Sequence, residues 1–467
     1  MRMNSVYLKD LLKMENNIQL NIHDFGPINE ANININQINV IGGSNASGKS
    51  FTSKLLFCFL TALSNNGKRI ENEGLYVAFG AFISRWADKL SLSSLNSIKY
   101  DNEELKSKLN SLMINWDEDN IQYDYLLNFY HEFERILNEY GLLNDSNCKK
   151  ELDGLKNSID VDKVDFGYVG RVINYLILVE FGQKELKYFE NANIRFGDEF
   201  KQFFEFIINF KENSFNIKFN HYDGLKSIDS NNVIYIDSVS LLDFNLNDKK
   251  GIRVDGNTAP YHDYSLLTAL IDKKDNISST LKELYAQYGE NFELELTKMI
   301  EGNFKYIEND SNFLFISENG NELETINVAS GYKQIGLLQL LLSNHSLSEG
   351  DWLIIDEPEI NLHPSLQIQL VELLVKLAKE FNLTIYINSH SPFIIEAFEV
   401  YSKRENMDNK TSFFLCDKQD EKSIDYSKFD IIHIGSDELQ KIYNNLADPY
   451  EILNSIRFEN QWSDDFD

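Results

Sequence analysis

Residues 38–50 read Ile38-Asn39-Val40-Ile41-Gly42-Gly43-Ser44-Asn45-Ala46-Ser47-Gly48-Lys49-Ser50, and this stretch decides the fold. An apolar strand runs into GxxxxGKS, and Phe51–Leu60 behind it is a dense apolar run that reads as a buried helix. In that order of strand, glycine loop and helix, backbone N–H groups curl around phosphate oxygens and the helix presents its positive end. The candidate phosphate contacts are therefore Gly43, Ser44, Asn45, Ala46, Ser47, Gly48, Lys49, Ser50 and Phe51. Lys49 is placed to reach β- and γ-phosphates, and the Ser50 hydroxyl to coordinate Mg²⁺.

Working outward, residues 18–42 alternate like two strands around a Gly26-Pro27 turn. After residue 325 the pattern becomes regular: helix at about 331–343, strand 351–356, helix 365–381, strand 383–388, helix 392–403 and strand 411–416. Such alternation predicts a parallel sheet covered by helices. The expected class is α/β, a phosphate-loop nucleoside-triphosphatase head with a mostly parallel sheet and a large, mainly helical insertion. The expected division is 1–63 for the first half of the head, 64–325 for the insertion and 326–467 for the second half. Within the insertion EELKSKLNSLM and NFYHEFERILNEYGLL have helical spacing. RVINYLILVEF and KQFFEFIINF suit buried helices or strands, and the strand near 231–239 is expected to return to the head.

Three further motifs fall on this frame. The buried strand ending at Ile355 delivers Asp356-Glu357-Pro358 to the sheet's carboxyl edge, where ligands bind in open α/β sheets. Asp356 suits a Mg²⁺ contact, and Glu357 suits a general base that polarises water. The next strand ends in Ser389-His390-Ser391-Pro392, so His390 shares the edge with Glu357 and can hold a γ-phosphate or the attacking water. Ser330-Gly331 opens the apolar helix that continues as LLQLLL, which fits either an ordinary serine N-cap or an anion site. His363 starts the helix after Glu357 in a capping or interface position.

In order the chain gives GGSNASGKS, ASGYKQ, LIIDEPEINLHPSLQ and YINSHSP. Together they resemble the ABC-type ATPases of the SMC/RecF/OLD group. The resemblance implies that Ser330 and Gly331 form a signature element acting in trans on ATP held by a partner's loop. It implies Glu357 as catalytic glutamate, His390 as switch histidine and Glu359–His363 as a dimer-facing loop. The cofactors implied are ATP and Mg²⁺. The stretch GLLQLLL–DEPEINLHP–SHSPFIIEA is similar to standalone ATPase subunits of prokaryotic antiphage systems such as Septu, PARIS and retron modules. That implies a homo-oligomer regulating a separate effector, a nuclease. Three departures stand out: Ala46 where the group has glycine, Tyr332 where transporters have a second glycine, and no counterpart of the Q-loop glutamine. The residues after His390 show no acidic cluster resembling a Toprim nuclease.

Composition narrows the alternatives. The 467 residues carry a formal charge of −29, from 44 Lys+Arg against 73 Asp+Glu. Bulk attraction to nucleic acid or anionic lipid is not expected, although a local basic groove for DNA is compatible with it. The scattered Cys58, Cys148 and Cys416 form no CxxC pair, which points to reduced thiols and a cytoplasmic protein. The N-terminus has no signal-peptide core, and no run of apolar residues suffices for a membrane span. His131, His221 and His262 are too dispersed in sequence to suggest a metal site. Two other functions fit the same motifs: a non-hydrolytic ATP-gated scaffold, and a RecF-like repair ATPase with DNA across its dimer.

Overall fold

The computed structural model describes residues 18–64, 66–67, 69–71, 74–75, 78–83, 102–114, 123–160, 167–182, 192–198, 203–211, 214–222, 232–243, 260–275, 277–422, 427–435, 438–443 and 446. The reading of the first seventeen residues lies outside them. The chain divides into two compact units, one of residues 1–60 and 176–467 and the other of residues 61–175.

The larger unit is built on one eleven-stranded sheet, formed by β1 (Ile18–Phe25), β2 (Ile28–Ile35), β3 (Ile38–Gly42), β4 (Ala192–Asp198), β5 (Phe203–Lys211), β6 (Ser214–Tyr222), β7 (Val233–Ile236), β11 (Trp352–Asp356), β12 (Thr384–Ser389), β13 (Thr411–Lys422) and β14 (Ser427–Ile434). A second sheet holds β8 (Gly302–Ile307), β9 (Asn312–Ser317) and β10 (Glu322–Glu324). The large sheet runs in the order β6-β5-β4-β1-β2-β14-β13-β3-β12-β11-β7. Its β13-β3-β12-β11-β7 half is parallel throughout. Every residue of β3, β7 and β11 is buried, which is why these strands read as unbroken apolar runs rather than alternating ones. The β6-β5-β4-β1-β2 half is an antiparallel meander.

The helices are α1 (Lys49–Leu63), α2 (Asn102–Ile114), α3 (Tyr123–Glu139), α4 (Ser146–Asp160), α5 (Gly167–Phe181), α6 (Tyr261–Ile271), α7 (Ser279–Leu284), α8 (Glu290–Ile300), α9 (Ser330–Ser343), α10 (Pro364–Glu380) and α11 (Pro392–Arg404). Helix α9 is buried almost all round, and its Ile335, Leu337, Leu338 and Leu341 share one core with Leu353, Ile355, Leu374 and Ile387. Proline opens both α10 and α11, where its fixed φ suits the first turn and its missing N–H costs nothing.

The stretch 64–325 divides. Its first part is the smaller unit, in which α3 places Leu126, Phe129, Tyr130, Phe133 and Leu137 on one stripe against Phe79, Phe82, Leu105 and Leu109. Its second part returns to the larger unit. KQFFEFIINF, open between helix and strand in sequence, is largely β5, whereas RVINYLILVEF lies in α5. β7 docks beside β11, as expected for the strand near 231–239. The meander strands β4–β6 carry no sequence signal of their pairing, because each takes its partners from strands distant or successive in the chain rather than from any local pattern.

Candidate nucleotide-binding site

Parallel pairing assembles the site. Ile41 of β3 lies opposite Asn388 of β12, and Asn388 lies opposite Asp356 of β11. The three strands thus end level, and their outgoing turns meet at one sheet edge: the glycine loop, Ser389-His390, and Glu357. The loop needs its glycines. A Cβ on Gly43 would lie 2.8 Å from Cys416 Cβ, and Gly48, at φ +91°, would meet Ile28 at 2.6 Å. Lys49 is 4% exposed, and its ammonium donates to the carbonyls of Gly43 (2.8 Å) and Ser44 (2.7 Å). Burial lowers its pKa, against the surrounding Cys416, Glu357, Glu359 and Asp356.

Asp356 is buried and ringed by neutral donors. Tyr235 donates to Oδ2 at 2.6 Å, Ser53 to Oδ1 at 3.0 Å, and the Asn388 amide to Oδ1 as well. Burial pushes its carboxyl pKa up, while hydrogen bonds from Tyr235, Ser50, Asn388 and Ser53 oppose the rise. That Ser50 and Asp356 interact places the two expected Mg²⁺ ligands in one location. Glu357 adopts φ +50° and donates its backbone N–H to Asn388 O at 2.8 Å. Its Oε1 lies 3.6 Å from His390 Nδ1. Both side chains keep access to solvent.

Glu359 departs from its expected place on an outward loop. It is 5% exposed, and its Oε1 accepts from Ser389 Oγ, His390 N and Ser391 N at 2.8, 2.7 and 3.1 Å. Facing inward, it shapes the turn that carries His390, whose Nδ1 is 3.1 Å away but not aligned for a hydrogen bond. Within Glu359–His363 it is Ile360 (42% exposed), Asn361 and His363 that face out. His363 caps α10, its Nδ1 accepting from Ser365 N.

Ser330 is not the cap of its own helix. Ala329 holds that position and makes no side-chain cap, so the Ser330 hydroxyl has no capping task. Gly331 packs so tightly that an added Cβ would lie 2.4 Å from Asn361 O. The Ser330-Gly331 turn is thereby pressed against the loop after Glu357. Lys333, also buried, anchors it to Asp243 through two 2.7 Å contacts. Sequence reasoning missed Tyr235, Ser53, Asn388 and Glu359 as supports. Only Asn388 had a signal, a polar residue ending an apolar strand.

A parallel sheet edge with this loop and two acids defines a phosphate-loop nucleotide-binding head. Residues 18–395 match the family described as AAA ATPase domain, and the chain belongs to that family. No curated protein matches it. Among solved structures it is similar to an SMC head bound to the C-winged helix domain of ScpA, with 11% identity, a TM-score of 0.39 and coverage of 91% of this chain and 98% of that one. It is similar to the SMC head domain from Thermotoga maritima (9%, 0.34, covering 89% and 98%). It is also similar to an ATP-binding cassette of an ABC transporter in its ADP conformation (10%, 0.31, covering 94% and 98%). Among the described residues no helix is long and apolar enough to cross a membrane.

Proposed function

We propose that this chain is an ABC-type ATPase that binds ATP with Mg²⁺, pairs head to tail with a second copy, and regulates a separate effector, a nuclease, in antiphage defence. The observation that carries the ATPase part is the convergence of Lys49, Asp356, Glu357 and His390 on one edge of three parallel strands. The donor set fits the group. Ser50 and the buried Asp356 offer oxygen ligands of the kind Mg²⁺ takes. A bound Mg²⁺ would neutralise phosphate charge. The chain's own residues do the rest: the loop amides and α1 orient the triphosphate, and Lys49 exchanges its two carbonyl acceptors for phosphate oxygens. Glu357 takes the proton from an attacking water, and His390, steadied through Glu359, hydrogen-bonds the γ-phosphate.

Support for pairing is the placing of exposed apolar side chains beside each motif: Ile326 (70% exposed) before Ser330, Ile360 after Glu357 and Phe393 after His390. The defence role rests on the likeness of residues 336–397 to antiphage ATPase subunits. Glu357→Gln should lower steady-state hydrolysis by about a hundredfold or more while ATP binding persists. Full activity in that variant would sink the hydrolytic role. Expressed with its genomic neighbours, the protein should co-purify a nuclease and lower phage titre, and Lys49→Ala should abolish protection. Unchanged protection by that variant would refute the defence reading.

A further inference from the structure

Beyond the nucleotide edge, one cluster gathers the chemistry of a metal site from residues far apart in sequence. His262 at the start of α6 is 1% exposed. Its Nδ1 faces Glu180 Oε2 of α5 at 2.5 Å, and the other oxygen of Glu180 accepts the His262 backbone N–H at 3.0 Å. The glutamate thus fixes the ring with Nε2 directed at two more carboxylates. Asp237 Oδ2, just past β7, is 3.1 Å away, and Asp263 Oδ1 is 3.6 Å away. The three inner ligand atoms lie within 4.8 Å of one another. Asp263 Oδ1 is buried without a hydrogen-bond partner.

We propose that Asp237, His262 and Asp263 bind a divalent transition-metal ion, of the Mn²⁺ or Zn²⁺ kind, with Glu180 as the outer carboxylate that orients the imidazole. Glu180–His262–metal is the usual way a protein fixes the tautomer and orientation of a ligating histidine. The geometry is close to assembled: bonds of roughly 2.1 Å in a tetrahedron set ligand atoms about 3.4 Å apart, between the two separations observed at Nε2. Charge points the same way. Three carboxylates surround one imidazole, and Lys54 stands 3.7 Å from Asp237. One imidazole nitrogen with carboxylates selects against Mg²⁺, which prefers oxygen alone and keeps its waters.

The site lies beside the nucleotide edge without belonging to it. The His262 ring packs 4.7 Å from the ring of Tyr235, whose hydroxyl donates to Asp356. A bound ion therefore holds the end of β7 and the start of α6 together and fixes the tyrosine that supports Asp356.

The test uses the full chain, stripped with a chelator and kept free of nucleotide, with Mn²⁺ followed by its paramagnetic resonance signal. One Mn²⁺ per chain should bind despite excess Mg²⁺, Zn²⁺ should displace it, and the ion should raise the melting temperature. Asp263→Asn, at a partly exposed position, should weaken binding at least about tenfold and abolish the thermal shift. Asp356→Asn should bind as the wild type does. A wild-type protein that binds neither ion in excess Mg²⁺ would overturn the proposal. So would an ion lost in Asp356→Asn but kept in Asp263→Asn.

Discussion

Ala46 stands in the glycine loop at φ +60°, in the left-handed region that costs a Cβ-bearing residue about 1 kcal/mol or more. Its side chain is exposed, so the penalty comes from the backbone and not from crowding. Ala46→Gly should therefore raise stability by about 1 kcal/mol, less what glycine's freer unfolded chain takes back. The check is the urea midpoint of nucleotide-free protein, and a lower midpoint would contradict the strain. The sequence displays Ala46 as a departure from the motif; only the dihedral says what the departure costs. The same holds at Glu357, whose chemistry is legible from its place after an apolar strand but whose φ of +50° is not. The turn is locked by the bond from its N–H to Asn388 O. Glu359 is legible as an acid near the site but not in its direction, because a carboxylate that accepts three donors looks in sequence like one that faces water.

At the scale of elements, β7 and β11 show what limits a sequence reading. Both are apolar runs, but what ties them is long-range: Tyr235 reaches Asp356 across 121 residues. At their amino ends Asp351 performs a second tie. It accepts from Asn232 N at 2.9 Å and Ser348 N at 2.8 Å, aligning β7 with β11, where Trp352 N donates to Asn232 O. Asp351 is fully buried, and burial pushes its carboxyl pKa up to about 6 despite those donors. Linkage sets the sign. A folded pKa above the unfolded value near 3.8 means the folded state holds the proton longer. The group's favourable contribution is complete below about pH 4 and is lost as pH rises through about 6, at most about 3 kcal/mol. Asp351→Asn does not titrate. Unfolding free energies compared from pH 4 to 7 should thus show the wild type losing stability relative to the variant. Parallel curves would refute the shift.

At the scale of the whole molecule, the proposed trans role of Ser330 and Gly331 raises the question of which chain's nucleotide the turn would meet. Gly331 is packed against Asn361, Lys333 is bound to Asp243, and Ser330 is released from capping, so the turn is rigid and its hydroxyl has no capping role. In a two-fold dimer every contact from i to j is repeated from j to i, so head-to-tail pairing builds two composite sites, each with the loop of one copy and the signature of the other. Two variants separate this from a site closed within one chain. Lys49→Ala destroys the loop, and Ser330→Arg blocks the signature while lying at a half-exposed position. Each alone should be inactive. In a mixed dimer one composite site receives both lesions and the other receives neither. Equal mixing of the two inactive proteins, each checked for an unchanged melting curve, should restore about a quarter of wild-type hydrolysis, since half the dimers are mixed and each has one intact site of two. If signature and loop served the same chain, every site in the mixture would carry one lesion and no activity would return.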